Sequence, residues 1–206
     1  MNYNHPKFDL EPASQPIELE EAQAFRYKAF GVVNESGLDR NEYDKKFNHV
    51  IICDRKHRRV AGCFRYTYYT SGFLIQTGYS AAHYDINTVE NFDQPLMEVG
   101  RVCTDSSLKD PDILRLVWAS LAPYVERIKI GFIFGCTSFH GIDHGKYIDC
   151  FAILREHYLG PKKLLPSLKS PSVLKFSKAL RPDFNFKIAM LKMPPLLRAY
   201  LSMEGG

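Results

Sequence analysis

Glu98 and Arg101 lie three residues apart in the stretch 96-LMEVGRVCTD-105, among Leu96, Met97, Val99, Val102 and Cys103. Those apolar neighbours read as a buried strand, where an unpaired charge is costly. The two charges therefore pair, reach water or do chemistry. A carboxylate placed there can act as a general acid or base. A guanidinium can grip a substrate carboxylate bidentately, or set the acidity of the carboxylate beside it. In a regular strand, residues 98 and 101 face opposite sides. Gly100 stands between them, and a glycine inside a strand often marks a β-bulge, which would bring both onto one face. A structural ion pair across the sheet is an equally simple alternative.

Three more charges sit in apolar company: Arg26 in AFRYKAF, Asp44 in NEYDKKF and Arg65 in GCFRYTYYT. Singly, each is an ordinary surface residue. Together they predict an ionic cluster around the 96–104 strand.

The elements that must position these residues read as follows. Residues 1–16 are polar with three prolines and read as an extended arm. IELEEAQAFRYKAF (17–30) has early acids and late bases, as a helix dipole prefers, and Gly31 is a natural stop. A polar loop covers 34–46. A hairpin follows, with arms 47–54 and 59–70 around the turn RKHR. FLIQT reads as a short strand, and AAHYDINTVENF as a short helix or loop. After the 96–104 strand, Asp110 and Pro111 cap a helix to about Ile128, which Pro123 should kink or end. IGFIFGCTSF (130–139) reads as a buried strand and 147–159 as an amphipathic helix. A Pro/Lys/Ser-rich connection spans 160–182, FNFKIAMLKM (184–193) reads as a last strand, and PPLLRAYL begins a final helix. This order predicts a single α/β domain over 1–206, with a mixed sheet flanked by helices.

Composition is that of a globular protein: 206 residues, 45% hydrophobic and 24% charged, enough for a real core. The high aromatic content, 14 Phe and 12 Tyr, fits either a Phe/Tyr-rich core or an apolar cavity for a greasy ligand. Five cysteines with no CxxC read as reduced core thiols of a cytoplasmic protein. The N-terminus has no signal-peptide core, and no apolar stretch is long enough to span a membrane. Net charge is +4, but residues 155–198 hold ten Lys/Arg against Glu156 and Asp183. That bias is either a solvated face or a surface for an acidic partner. Without a helix-turn-helix, RRM or zinc-finger pattern, nucleic acid is not expected. HGIDH places His140, Asp143 and His144 near one another, but lacks a third distant ligand, so no metal site is expected.

RYKAF, EYD, GCFRY and EVGRVC occur in the order and at the spacing of acyl-homoserine-lactone synthases. With FGCTSF downstream, the chain also resembles the ornithine N-acyltransferases of lipid synthesis and the long-chain N-acyl amino acid synthases from environmental DNA. All three have the GNAT fold. The resemblance covers residues 20–200 and implies transfer of a long acyl chain from the phosphopantetheine thioester of acyl-carrier protein to an amino acid's α-amine, with no further cofactor. Asn41 stands where the synthases have the first Asp of D-x-x-D, and their loop tryptophan is absent, which argues against an adenosylmethionine-type substrate. The length fits the N-acyl amino acid synthases best, and that resemblance implies tyrosine as acceptor.

On this reading Glu98 is the base and Arg101 holds the acceptor carboxylate or tunes Glu98. Arg26, Asp44 and Arg65 order the acceptor pocket. The backbone near Cys103 polarises the thioester carbonyl. Phe132, Phe134 and Phe151 are candidate walls of the acyl tunnel. Lys162, Lys163, Lys169, Lys175 and Lys178 dock the carrier. The loop 104-TDSSLKDPD-112 has no glycine and three acids, a poor cradle for a CoA pyrophosphate, which favours a carrier-bound donor. The alternative from another class is a non-catalytic acyl-binding or carrier-docking module.

Overall fold

The computed structural model describes residues 5–108, 110–174 and 184–203. Five strands form one sheet in chain order: β1 (Phe8–Pro12), β2 (Asn48–Asp54), β3 (Arg59–Tyr69), β4 (Leu96–Thr104) and β5 (Phe132–Phe134). The first four are antiparallel and β5 runs parallel to β4, so the sheet is mixed as expected. The segment read as an extended arm supplies β1. Its alternation of Phe8 and Leu10 with Asp9 and Glu11 buries the two apolar residues, and Pro12 is tolerated because this is an edge strand.

Alternation along the strands gives the sheet two unlike faces. Phe64, Tyr66, Met97 and Val99 pack on Ile113, Leu116, Val117 and Leu121 of α3 (Asp112–Ile128). Each fully buried side chain of this size contributes about 1.5–3 kcal/mol, so this face carries much of the stability. The Asp110 side chain accepts the Asp112 N–H, as expected of a cap, and the helix runs through Pro123 instead of ending there.

The other face carries α1 (Pro16–Phe30), whose buried residues are Ala22, Gln23 and Arg26. Pro16 stands in its first turn, Glu18 accepts the N–H groups of Ser14 and Gln15, and Gly31 closes it at φ 63. Small Ala22 lets the helix come close, and the polar pair beside it faces the charges of the sheet. Further along that face, 3₁₀ turns at Gly72–Thr77 and Asn87–Val89 flank α2 (Tyr79–His83). FLIQT is thus a 3₁₀ turn rather than a strand. Ile75, Ala81, Ile86 and Val89 seat this segment against Tyr69 and Leu96.

A third cluster joins α4 (Ile148–His157), α5 (Phe186–Lys192) and α6 (Pro195–Met203) through Cys150, Ile153, Ala189, Met193 and Leu201. The segment read as a final strand is therefore the helix α5. Its Phe184, Phe186 and Ile188 alternate as in a strand, but Ala189 and Met193, four apart, are the residues buried against α4. The expected strand over 130–139 is also cut short, because only Phe132–Phe134 pair with β4.

Candidate active site

Arg65 faces Gly100 and Cys63 faces Cys103, so Phe64 alone opposes both Arg101 and Val102. This is a β-bulge. The residue with positive φ is Arg101 (φ 53), not Gly100, a backbone conformation that costs an L-residue roughly 1–2 kcal/mol. The bulge turns Arg101 onto the α1 face, where Glu98, Arg65 and Cys63 also point. Glu98 and Arg101 share a face as expected, but they do not pair with each other.

Glu98 is almost completely buried (1% exposed). Its Oε2 accepts the Tyr69 hydroxyl at 2.7 Å, and its Oε1 accepts both the backbone N–H and the hydroxyl of Ser80 at 2.6 Å each. These donors are neutral, so the carboxylate is solvated without a counter-ion. Burial and the adjacent Glu98 charge hold the Tyr69 phenol far above its ordinary range, so it stays a donor. Gly78 makes room: a Cβ there would lie 2.4 Å from both Glu98 Oε2 and Tyr69 Oη.

Arg101 belongs to a different set. Asp39 and Asp44 lie in or beside the polar loop, and three arginines converge on them. Arg26 donates through Nε to Asp39 at 3.0 Å and through Nη2 to Asp44 at 2.9 Å. Arg65 donates through Nη1 to Asp44 at 2.6 Å and to Asn41 at 2.8 Å. Arg101 Nε sits 3.0 Å from Asp39 Oδ2, with its N–H not aimed at that oxygen. Gln23 donates to Asp44, and His49 completes the set: Nε2 donates to the Asp44 carbonyl and Nδ1 accepts from Arg26. Burial presses His49 below its ordinary pKa, which keeps it neutral. Burial pushes Asp44 upward, but Arg26 and Arg65 together outweigh it and hold it below the usual carboxylate value.

Three guanidiniums thus face two carboxylates. Arg26 and Arg65 are buried (1% exposed), whereas the Arg101 side chain keeps 25% of its surface. It lies between the rings of Tyr79 (5.2 Å) and Phe30 (5.6 Å), so the surplus cation is both held and accessible.

It opens into a cleft of about 1160 Å³. β5 leaves β4 after Glu98, and Val99–Val102 line one wall while Phe132–Gly141 line the other. A Cβ on Gly135 would lie 2.1 Å from the Val99 carbonyl oxygen, so only glycine lets the two backbones stay this close just past the last paired residues. Trp118, Leu154, Tyr158, Leu197 and Tyr200 close the apolar end.

An acetyltransferase (GNAT) domain family matches residues 22–119. The L-ornithine N(alpha)-acyltransferase of Brucella abortus (strain 2308) is 24% identical over 93% of this chain and 74% of its own length. The protein of the same name from Agrobacterium fabrum is 22% identical over 90% and 69%. Among solved structures, FeeM, an N-acyl amino acid synthase from uncultured soil microbes, is 11% identical over 71% of this chain and 78% of its own, with a TM-score of 0.47. The AHL synthase LasI is 14% identical over 62% and 71%, with a TM-score of 0.46.

Within the matched region, the expected ionic cluster of Arg26, Asp44 and Arg65 is assembled around Asp39 and takes in Arg101 of the 96–104 strand. Of these, Arg101 lines the cleft, while Arg26, Asp44 and Arg65 lie behind it. Phe132 and Phe134 line the cleft, with rings stacked 6.2 Å apart. Phe151 is not among the cleft residues and packs edge-on against Phe139. Cys103 is buried, 3.5 Å from the Cys63 sulfur, and does not reach the cleft; the β4 backbone that does is Val99–Val102. Lys162 and Lys163 are exposed on a 3₁₀ turn, Lys169 donates to the Ala81 carbonyl, and Lys175 and Lys178 fall outside the described residues. Among the described residues there is no group of His, Cys, Asp or Glu fit to hold a metal, and no helix long and apolar enough to cross a membrane.

Sequence reasoning missed Asp39, His49, Tyr69 and Ser80. His49 carried the signal of a polar residue opening an apolar run, whereas Asp39 is one of several charges in a polar loop. Nothing local marks Tyr69 or Ser80, which meet Glu98 only through the fold.

Proposed function

We propose that this chain is an N-acyltransferase that moves a long-chain acyl group from the phosphopantetheine thioester of acyl-carrier protein to the α-amine of an amino acid. The observation that carries this reading is the pair of unlike charges on one strand face, Glu98 and Arg101, each held by other partners. A zwitterionic amino acid has the complementary charges on either side of a single carbon. Its carboxylate suits Arg101, the one member of the arginine cluster that reaches the cleft. Its ammonium suits Glu98, which takes the proton that must leave before nitrogen can attack a thioester.

The free amine then attacks the thioester carbon, the tetrahedral oxyanion is held by the β4 backbone where β5 has left it, and the thiolate departs with a proton. The apolar wall of Phe132, Phe134, Leu154 and Tyr158 suits a long acyl chain. The 104–112 loop supports a carrier-bound donor. Asp105 already accepts the Ser107 N–H, Asp110 accepts that of Asp112, and both acids would repel a pyrophosphate.

For the acceptor side chain, the lining contains no carboxylate among the described residues to hold a second ammonium, which supports an uncharged acceptor such as tyrosine. The ornithine acyltransferases among its relatives support ornithine as a second reading. Incubation with long-chain acyl-carrier protein, the twenty amino acids and ornithine, read by mass spectrometry, tests both. An N-acyl amino acid is the expected product and its mass names the acceptor. Acyl-carrier protein that stays bound and unconsumed would instead identify a carrier-docking module.

A further inference from the structure

Glu98 is the base of the proposed reaction, yet no atom of it lines the cleft. Its two oxygens are closed off by Tyr69 on one side and Ser80 on the other. Tyr69 does not line the cleft either. Ser80 does. Its hydroxyl is 2.6 Å from Glu98 Oε1 and 3.5 Å from the Cys136 thiol, and Cys136 also borders the cleft.

From this we infer that Ser80 is a catalytic proton relay between the acceptor amine and Glu98. The inference rests on the acyl-transfer reading and adds a residue to it. The ammonium donates an N–H to Ser80 Oγ while the Ser80 O–H passes its own proton to Glu98 Oε1. The N–H bond and the serine O–H bond break, and new O–H bonds form on Ser80 and Glu98. After nitrogen has bonded to the acyl carbon and the C–S bond has broken, the same path runs in reverse. Glu98 returns its proton through Ser80 to the departing thiolate, and the second amine proton leaves to solvent. No oxidant or further reactant enters. The Ser80 backbone N–H, 2.6 Å from the same carboxylate oxygen, keeps Glu98 in place while the hydroxyl exchanges protons.

Removing the hydroxyl should break the path without emptying the site, because the backbone N–H and Tyr69 still hold Glu98. Ser80→Ala is expected to lower kcat by about 10²-fold, the lower range for loss of a general-base route, with KM for the acyl donor unchanged. A structural role could also lower kcat, so the nucleophile is varied. Hydroxylamine is already neutral at assay pH and needs no proton removed before attack. The Ser80→Ala deficit should therefore shrink by about tenfold or more with hydroxylamine relative to an amino acid. Tyr69→Phe removes a hydrogen bond to the same carboxylate but leaves the path intact, so its deficit should be smaller and alike for both nucleophiles. Circular dichroism of each variant controls for folding; Ser80→Gly, which also lacks the hydroxyl, supplies the test if Ser80→Ala unfolds, and Ser80→Thr, which keeps it, should restore most of the activity. An equal Ser80→Ala deficit for both nucleophiles, or no deficit, overturns the relay while leaving acyl transfer standing. Wild-type protein that transfers to neither nucleophile overturns both.

Discussion

Replacing Glu98 by glutamine separates a chemical role from a structural one, because the site can accept the amide. The carboxylate receives three hydrogen bonds, from the Tyr69 hydroxyl and from the Ser80 N–H and hydroxyl. A glutamine Oε1 turned toward Ser80 keeps the latter two, and its amide can donate to Tyr69 Oη once that hydroxyl rotates. Three charge-assisted bonds become neutral ones, a loss of roughly 1 kcal/mol each. The variant also no longer buries an ion, which returns a comparable amount. The net change should stay within about 2 kcal/mol, a shift of about 1 M or less in the urea midpoint. Turnover should fall by about 10²–10⁴-fold, equivalent to roughly 3–5 kcal/mol on the barrier. Glu98→Ala is the contrast. It strands the Ser80 N–H and the Tyr69 hydroxyl, at about 1–3 kcal/mol each, and leaves a cavity beside them. Urea titration and product formation would be measured on the same preparations. Glu98→Gln protein that is folded and turns over within about threefold of wild type refutes the base assignment. Glu98→Gln protein that is unfolded makes the carboxylate a structural group.

Arg101→Gly and Arg101→Ala should both raise the acceptor KM, by about 10–100-fold for one lost charge-assisted pair, and leave the donor KM unchanged. Glycine relieves the positive φ, so Arg101→Gly should be about 1 kcal/mol more stable than Arg101→Ala by chemical denaturation. Gly78→Ala drives a methyl group into Glu98 and Tyr69, and should cost about 1–3 kcal/mol and most of the activity; a fully active variant would show that the Glu98 geometry is not needed. Stability should fall on the acid side. The unfolded chain protonates His49 at its ordinary value of 6.5, while the folded protein holds it neutral, so the loss begins below about pH 6.5. Asp44 adds a second loss at lower pH: its folded pKa is depressed, so its contribution is complete above the ordinary value of 3.8 and is lost as pH falls through the folded one. A melting temperature that stays flat from pH 7 to about 5 would contradict the His49 part, and His49→Gln should flatten that limb.

The elements whose signals are local were legible in the sequence: α1 with its glycine stop, the β2–β3 hairpin, β4, α3 and α4. So was the cluster of buried charges, because Arg26, Asp44, Arg65 and Arg101 stand out against apolar neighbours. Long-range packing decided the rest. The alternation in 184–193 suggested a strand, but Ala189 and Met193 fit the surface of α4 only as a helix. Gly100 signalled a bulge in the right strand, yet the left-handed residue is its neighbour Arg101, held by Asp39 and two aromatic rings. An ion pair between Glu98 and Arg101 was one of the alternatives that the sequence left open. It failed because Asp39, Tyr69 and Ser80, all remote in sequence, offered each charge a better-placed partner.

The cysteines of β3 and β4 give the sheet a built-in stopwatch. Cys63 and Cys103 face each other across the two strands and are buried, and their contact together with burial keeps the Cys63 thiol protonated. Cys53 and Cys136 are only half-buried. An alkylating reagent will consume the latter pair first, and will reach the former only when the two strands come apart. The delay before Cys63 and Cys103 are labelled, told apart by peptide mass from Cys150, which is buried between α4 and α5, then reports the opening of the strand that carries Glu98 and Arg101, without any engineered probe. Ligands that bridge β4 should lengthen it.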